Sequence, residues 1–158
     1  MIEEKLLTRA KNLAYRYLAL RPRSKAELQA YLVKKGVPED AASEALEALE
    51  GYGYIDDKRF ASGYAIYLVE YKGLSPRAVR FELKKKGVSD TDMGPAIEGL
   101  FGEGGIDEEA VALKVAQKKA ATLKGVDREK ARRRLMDHLR RRGFSFDIIR
   151  RVLKTSLI

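Results

Sequence analysis

Three short basic clusters are the residues of this chain best suited to chemistry, and each of them ends on a glycine. They are LVKKGV at residues 32–37, LKKKGV at residues 83–88 and LRRRGF at residues 139–144. Lysine and arginine donate charged hydrogen bonds to phosphate and carboxylate oxygens, and arginine can donate two in parallel. The chemistry that these clusters favour is therefore the binding of an anionic partner.

Part of each cluster also has a purely structural explanation. A glycine in the left-handed conformation commonly ends a helix, with a leucine at the third-last helical position in contact with the hydrophobic residue that follows the glycine. One cation in the last turn is stabilised by the helix dipole by about 0.3 to 1 kcal/mol. Neighbouring like charges repel one another within a turn, so capping does not explain three cations in a row.

The spacing of the clusters indicates an internal repeat. Their glycines are Gly36, Gly87 and Gly143, which lie 51 and 56 residues apart. Apolar residues recur at three- and four-residue steps nearly everywhere, and no segment alternates as a strand would. We predict an all-α protein of three tandem three-helix repeats at residues 1–57, 58–108 and 109–158. Small stacked units of this kind form an elongated array, whose curvature and third-repeat orientation the sequence leaves open.

Helix-capping residues stand at the predicted helix starts. Ser24 and Ser75 precede the second helices of the first two repeats, and Glu27 completes a capping box with Ser24. In the third repeat Asp127 and Ser145 precede the second and third helices, whose caps we expect them to form. The pair at residues 56–57, both aspartates, lies where the next long helix begins, and its side-chain oxygens are expected to accept that helix's free N–H groups.

The net charge of +9 is concentrated in one part of the chain. Residues 1–57 hold nine basic and ten acidic side chains, residues 58–108 hold eight of each, and residues 109–158 hold fifteen basic and five acidic. All eight tyrosines lie within the first 71 residues. This division predicts a polyanionic partner for the C-terminal repeat and a different role for the N-terminal part.

Other residues that could do chemistry are better explained by structure. His138 is the only histidine and there is no cysteine, so a usual zinc site cannot be assembled and His138 is expected on a helix surface. The glycines of residues 99–105 follow no strand and lack the lysine of a phosphate-binding loop. Neither Ser24 nor Ser75 has an acid–base partner nearby. We therefore predict no enzyme, no metal, no cofactor and no small-molecule substrate.

The composition also bears on the compartment. No apolar run approaches the roughly eighteen residues needed to span a bilayer. The first residues, MIEEKLLTRAKNLAY, carry two acids where a signal peptide is positively charged. The absence of cysteine agrees with a reducing environment. We expect a cytoplasmic protein without a membrane partner.

Several motifs together resemble one family. The run GYGYIDDKRFA at residues 51–61, preceded by RPRSKAEL at residues 21–28 and KKGV at residues 34–37, resembles the signature of RecX proteins, the bacterial regulators of the RecA recombinase. LRRRGFSFDIIRRVL at residues 139–153 is similar to the end of their third repeat. The second repeat departs from the pattern, with GGIDEEA at residues 104–110 and Gly94-Pro95 in its third helix.

The resemblance implies a function in DNA repair, homologous recombination and the SOS response. A RecX protein would bind in the groove of the RecA–DNA filament and limit filament extension or stability. Strand exchange, ATP hydrolysis and co-protease activity would decrease as a result. The implied partners are the RecA nucleoprotein filament and the phosphates of single- or double-stranded DNA.

The predicted binding residues are the cations of the second helices and their ends. They are Lys34, Lys35, Arg77, Arg80, Lys84, Lys85, Lys86, Arg132, Arg133, Arg140, Arg141 and Arg142. Two other hypotheses remain open at this point. One is a DNA-binding module of homeodomain-like three-helix units that acts without RecA, and the other is a helical scaffold whose charge only keeps it soluble.

Overall fold

Helices account for all the regular secondary structure in residues 1–155, the part of the chain that this computed structural model describes. No strand occurs in that range, which confirms the all-α prediction. Its nine helices are α1 (Ile2–Leu18), α2 (Lys25–Lys34), α3 (Glu39–Gly51), α4 (Asp57–Glu70), α5 (Pro76–Lys85), α6 (Asp90–Phe101), α7 (Glu108–Thr122), α8 (Arg128–Arg141) and α9 (Phe146–Thr155). No helix among these residues is long and apolar enough to cross a bilayer.

Serine side chains cap the starts of the shorter helices as the sequence predicts. The Ser24 hydroxyl accepts a hydrogen bond from the Glu27 N–H at 3.1 Å, and the Glu27 carboxylate accepts one from the Ser24 N–H at 3.4 Å. Ser75 caps α5 and Ser145 caps α9, at 3.1 and 3.3 Å. Because Ser24 and Ser75 are fully buried, these caps satisfy polar groups that water cannot reach.

The three second helices, α2, α5 and α8, end in the same way. Gly36, Gly87 and Gly143 have φ angles of +85°, +76° and +88°. The residue after each glycine donates its N–H to the carbonyl of the leucine four positions before that glycine, over 3.0, 3.1 and 3.4 Å respectively. The N–H of each glycine donates to the carbonyl of the residue that follows this leucine, at 2.9 to 3.0 Å. These are the two bonds of a Schellman cap, which confirms the interpretation of the glycine clusters.

The chain divides into two compact units. The first comprises residues 1–63 and 83–93, and the second comprises residues 64–82 and those from 94 onward. The first has a core built on Leu28, Leu32, Leu46 and Leu49. The second has a core of Leu135, Leu139, Phe144, Ile149 and Val152. The helices of the second repeat therefore contribute residues to both units.

In the first unit, the end of α5 packs against the start of α2. The Ser24 hydroxyl donates a hydrogen bond to the Lys86 carbonyl at 2.5 Å. Gly87 lies so close to Ala26 that a Cβ on the glycine would collide with the alanine side chain. The absence of a side chain at Gly87 therefore serves both the left-handed cap and the close approach.

In the second unit, the end of α8 packs against the start of α5 in the same manner. The Ser75 N–H donates a hydrogen bond to the Arg142 carbonyl at 3.0 Å. A Cβ on Gly143 would collide with the Ser75 hydroxyl and the Ala78 side chain. One type of junction therefore occurs twice, each time joining a capped second-helix end to the start of the second helix one repeat earlier.

The two aspartates before and at the start of α4 cap different helices. Asp56 accepts a hydrogen bond from the Arg59 N–H at 3.1 Å, as predicted. The prediction that Asp57 also caps α4 is wrong, because its carboxylate accepts the Lys25 N–H at 2.9 Å. Burial, together with the nearby Asp92 charge, raises the pKa of Asp57 although this hydrogen bond opposes the shift. Adjacent aspartates thus tie the first turn of α4 to the first turn of α2.

Glu27 is the centre of a charged cluster at the start of α2. Its carboxylate lies 2.7 Å from the Arg21 guanidinium and 3.7 Å from the Lys86 ammonium group. Burial by itself raises the pKa of Glu27, but the hydrogen bonds from Arg21 and Ser24 and the charges of Arg21 and Lys86 lower it below its ordinary value. The ionised carboxylate therefore helps to hold the end of α5 on α2.

Replacing Gly87 or Gly143 by alanine should destabilise the protein more than the same change at Gly36. All three variants place an alanine in the left-handed region, at a cost of about 1 to 2 kcal/mol. A Cβ at Gly36 meets no atom within 4 Å, whereas those at the other two glycines collide with Ala26 and Ser75. The collisions should add about 1 to 3 kcal/mol, measured by urea unfolding. Equal losses of stability at all three positions would contradict the close contacts of Gly87 and Gly143 at the two junctions.

Replacing Glu27 by glutamine should lower the free energy of unfolding at neutral pH by about 1 to 2 kcal/mol, because charged hydrogen bonds are lost. The folded-state pKa of Glu27 lies below its ordinary value of 4.5, so this contribution is present above that pH and disappears as the pH falls through the folded-state pKa. The difference in the free energy of unfolding between wild type and variant, measured by thermal unfolding, should become smaller as the pH falls. Glu44→Gln, at an exposed position, is the control, and a pH-independent gap would argue against the charge mechanism.

Candidate nucleic-acid interface

Helix α8 places much of the chain's excess charge on an exposed surface of the second unit. Its buried residues are Ala131, Leu135 and Leu139, which recur every four positions and form a single stripe. Because one stripe is enough to pack a helix against a core, the rest of the circumference faces solvent. That exposed part carries Arg128, Lys130, Arg132, Arg133, Arg134, Arg140 and Arg141.

The junction between α8 and α5 brings the basic cluster of residues 139–144 next to two other predicted binding residues, Arg77 and Arg80. The Arg142 carbonyl accepts the Ser75 N–H at 3.0 Å, so residues 140–142 lie beside the first turn of α5. That turn carries Arg77, and Arg80 follows on the next turn. Arg77, Arg80, Arg140 and Arg141 are exposed, and Arg142 is half-buried.

The predicted residues of the first unit form two separate groups. Lys34 and Lys35 lie at the end of α2, whereas residues 84–86 lie where α5 meets the start of α2. The ten residues of α2 separate these groups by about 15 Å along the helix axis. Lys34, Lys35, Lys84 and Lys85 are exposed, and Lys86 is half-buried. This unit therefore contains no single cluster comparable with that of the second.

Acidic neighbours offset some of the predicted cations and leave others without an ion pair. Lys84 pairs with Asp90 at 3.6 Å, Lys86 pairs with Glu27 at 3.7 Å, and Arg140 pairs with Asp137 at 3.3 Å. The predicted cations that form no ion pair within residues 1–155 are Lys34, Lys35, Arg77, Arg80, Arg132, Arg133, Arg141 and Arg142. Most of the uncompensated charge therefore belongs to the second unit.

A cationic cleft in the second unit includes residues that the sequence does not single out. It encloses about 100 Å³ between the end of α4, α7 and α8. Its positively charged lining residues are Lys72, Lys114, Lys118 and Arg142, and Glu70 is the acid among them. Lys114 and Lys118 stand four positions apart on α7 and so share one face. That spacing is the only sequence signal for the cleft.

His138, which lies on α8, also lines the cleft and is half-buried. Burial lowers the pKa of His138, and the charges of Arg142, Lys119 and Arg141 lower it further. Nearby cations that disfavour a protonated imidazole also favour an anion at the same place. No group of three His, Asp or Glu side chains within the described range could hold a metal ion.

Family models match the chain in three consecutive segments. Residues 10–49 match the first three-helix domain of RecX, residues 56–94 match the second, and residues 107–153 match the third. Together the three segments cover most of the 158 residues. The sequence motifs that resemble RecX thus belong to a match that runs through every repeat.

Curated relatives carry the same name. The chain is 36% identical to the regulatory protein RecX of Bacillus licheniformis over 138 residues, which are 87% of this chain and 51% of the relative. Identity is 30% to that of Thermobifida fusca, over 98% of this chain and 82% of the relative. The regulatory protein RecX of Streptomyces coelicolor is 34% identical, over 94% of this chain and 77% of the relative. The chain therefore spans about half the length of the Bacillus relative and more of the other two.

Solved structures agree with the fold. The crystal structure of RecX from Lactobacillus salivarius superposes with a TM-score of 0.76 at 22% identity, covering 96% of this chain and 97% of that one. A crystal structure of regulatory protein RecX gives a TM-score of 0.79 at 20% identity, covering 97% and 74%. At these identities the structures support the three-helix repeats, and the sequence matches establish the kinship. The chain belongs to the RecX family of regulatory proteins.

Proposed function

We propose that the chain is a non-enzymatic regulator of the RecA recombinase that acts in the cytoplasm. In this proposal it binds in the groove of the RecA–DNA filament and inhibits filament extension or stability. Strand exchange, ATP hydrolysis and co-protease activity decrease as a consequence. Membership of a family of regulatory proteins supports the regulatory role, and the distribution of positive charge supports a polyanionic partner.

The observation that carries the proposal is the set of arginines without ion pairs at the junction of α8 and α5. Arg77, Arg80 and Arg141 are exposed there, so their guanidinium groups can reach phosphates or carboxylates without first breaking an internal ion pair. Arginine presents a planar set of donors that matches either anion with two parallel bonds. Such a surface fits a groove lined by DNA phosphates and acidic protein residues.

The proposed mechanism is steric and electrostatic. Long-range attraction between a basic protein and a polyanion accelerates their encounter. Once bound, tandem repeats along the groove occupy the path of incoming DNA or the position of the next RecA subunit. No covalent step is needed, because the bound protein acts by exclusion.

A DNA-binding module that acts without RecA is the second candidate. The cationic cleft of the second unit favours this candidate. All residues that line the cleft belong to this chain, so a nucleic acid could bind there without RecA. The two candidates differ in their preferred partner. The regulator should bind RecA-coated DNA better than naked DNA, and the module should bind naked DNA at least as well.

Saturating amounts of the protein should reduce DNA-dependent ATP hydrolysis by RecA. The reason is that fewer subunits remain in extended filaments when growth or stability is limited. Hydrolysis can be followed by a coupled assay at fixed RecA and DNA concentrations, with bovine albumin as the control protein. An unchanged rate, combined with equal binding to naked and RecA-coated DNA, would contradict the proposal and favour the DNA-binding module.

Replacing Arg140, Arg141 and Arg142 together by alanine should weaken binding to RecA–DNA filaments by about tenfold or more at physiological salt, because counterion-releasing contacts are lost. The matched control replaces Arg150, Arg151 and Lys154 of α9, which removes the same charge. Arg150 and Arg151 already pair with acids, at 3.4 and 2.9 Å. Equal weakening by both triple variants, measured by fluorescence anisotropy, would show that only net charge matters.

A further inference from the structure

A row of three tyrosines lies along one face of α4 and continues onto the residue that follows the helix. Tyr64, Tyr67 and Tyr71 are three and four positions apart, so their side chains are neighbours on the helix surface. The first two rings stack with centroids 6.0 Å apart and an angle of 15° between planes. The second and third stack at 5.5 Å and 29°. The row ends at Tyr71, whose side chain belongs to a residue that is 77% exposed.

The exposed end of this row differs from Tyr17, a stacked tyrosine of the first unit. There, Tyr17 is covered on both sides, by the Tyr31 ring at 3.9 Å and by the Arg23 guanidinium at 3.7 Å. Tyr71 has one ring contact within the described residues, with Tyr67. One face of the Tyr71 ring is therefore open to solvent and available to another flat group.

The same tyrosine lines the cationic cleft. Tyr71 and Lys72 follow the end of α4, Lys114 and Lys118 lie on α7, and Arg142 caps the end of α8. None of these four cations forms an ion pair within residues 1–155. An open aromatic face and a set of uncompensated cations therefore lie side by side in one unit.

This combination is chemically suited to a single-stranded nucleic acid. Proteins that bind single strands use aromatic rings to stack bases and a positively charged groove to hold the backbone. In a duplex the base faces are already stacked on each other, so a protein ring has no face to contact. An acidic peptide would use the cations but would gain nothing from the exposed ring of Tyr71. The pairing of the two features favours a nucleotide over a peptide.

We propose that this site binds one nucleotide of a single-stranded nucleic acid, with the base on the open face of Tyr71 and a phosphate among Lys72, Lys114, Lys118 and Arg142. The inference deepens the proposed function by naming a subsite for its nucleic-acid partner. It requires only the chain and an oligonucleotide, so it can be tested without RecA. A chain that binds through this site but leaves RecA unaffected would keep the inference and lose the proposed function.

Because His138 lines the same cleft, phosphate binding there should depend on pH. His138 shares the cleft with Glu70, Lys72, Lys114 and Lys118, and Lys119, Arg141 and Arg142 add positive charge around it. A phosphate at this position opposes the cations and raises the pKa of the imidazole. Binding then takes up a proton, so affinity should increase as the pH falls from about 8 to 6. His138→Gln should remove this part of the pH dependence.

Affinity for an oligothymidylate of roughly 15 nucleotides tests the stacking contact. Tyr71→Ala should weaken binding about fivefold or more, whereas Tyr71→Phe, which keeps the ring, should stay within about twofold of wild type. Tyr52→Ala is the matched control, because Tyr52 is 64% exposed in the other unit. Equal effects of Tyr71→Ala and Tyr52→Ala, or an equal loss on a duplex of the same length, would overturn the proposal.

The chain contains no tryptophan, so a single tryptophan reports on the site directly. Fluorescence of Tyr71→Trp should be quenched when the oligothymidylate is added, and that of Tyr52→Trp should not. Lys114→Ala with Lys118→Ala should reduce the salt dependence of binding by more than Lys5→Ala with Lys58→Ala. An absence of quenching at Tyr71→Trp, or displacement of the oligonucleotide by poly-glutamate at equal charge concentration, would refute nucleotide binding and favour an acidic protein partner.

Discussion

A left-handed glycine ends each of the second helices, α2, α5 and α8, and the packing around these helix ends follows from it. It terminates the helix and turns the chain, so that the hydrophobic residue after the glycine returns to the buried leucine. In the second unit these residues are Phe144 and Leu139. At Gly87 and Gly143 the missing side chain also allows the helix end to touch the start of an earlier second helix. One residue type thus fixes both a helix end and a contact between repeats.

This constraint determines where the positive charge lies. The last turn of a helix favours cations through its dipole. At each junction the neighbouring helix is bonded by a backbone carbonyl, and Lys84, Lys85, Arg140 and Arg141 stay exposed. In the first unit the consequence is mainly structural, since Lys86 pairs with Glu27 at 3.7 Å. In the second unit Arg141 and Arg142 have no such acid within the described residues. The same element therefore stabilises one junction and carries the proposed binding surface at the other.

Local patterns were sufficient to predict the helices and their ends, because a cap involves residues within about six positions of one another. The serines and glycines named from the sequence occupy the expected caps, and the resemblance to RecX is confirmed. Asp57 was misassigned because its partner, Lys25, is 32 positions away. The cleft could not be predicted for the same reason, since Lys72, Lys114 and Arg142 meet only after folding. The distribution of charge along the chain indicated that the C-terminal part is basic. It did not indicate which of the cations would form ion pairs with acidic residues.

The proposed attachment of this protein to a polyanionic filament through uncompensated cations is best tested by the salt dependence of its binding to RecA–DNA filaments. We expect the logarithm of the binding constant to fall linearly with the logarithm of salt concentration, by about 0.7 to 0.9 for each phosphate contacted. Several contacts should give a slope steeper than about −3. Tight binding that does not change with salt would contradict an electrostatic attachment and indicate an interface made by apolar contacts.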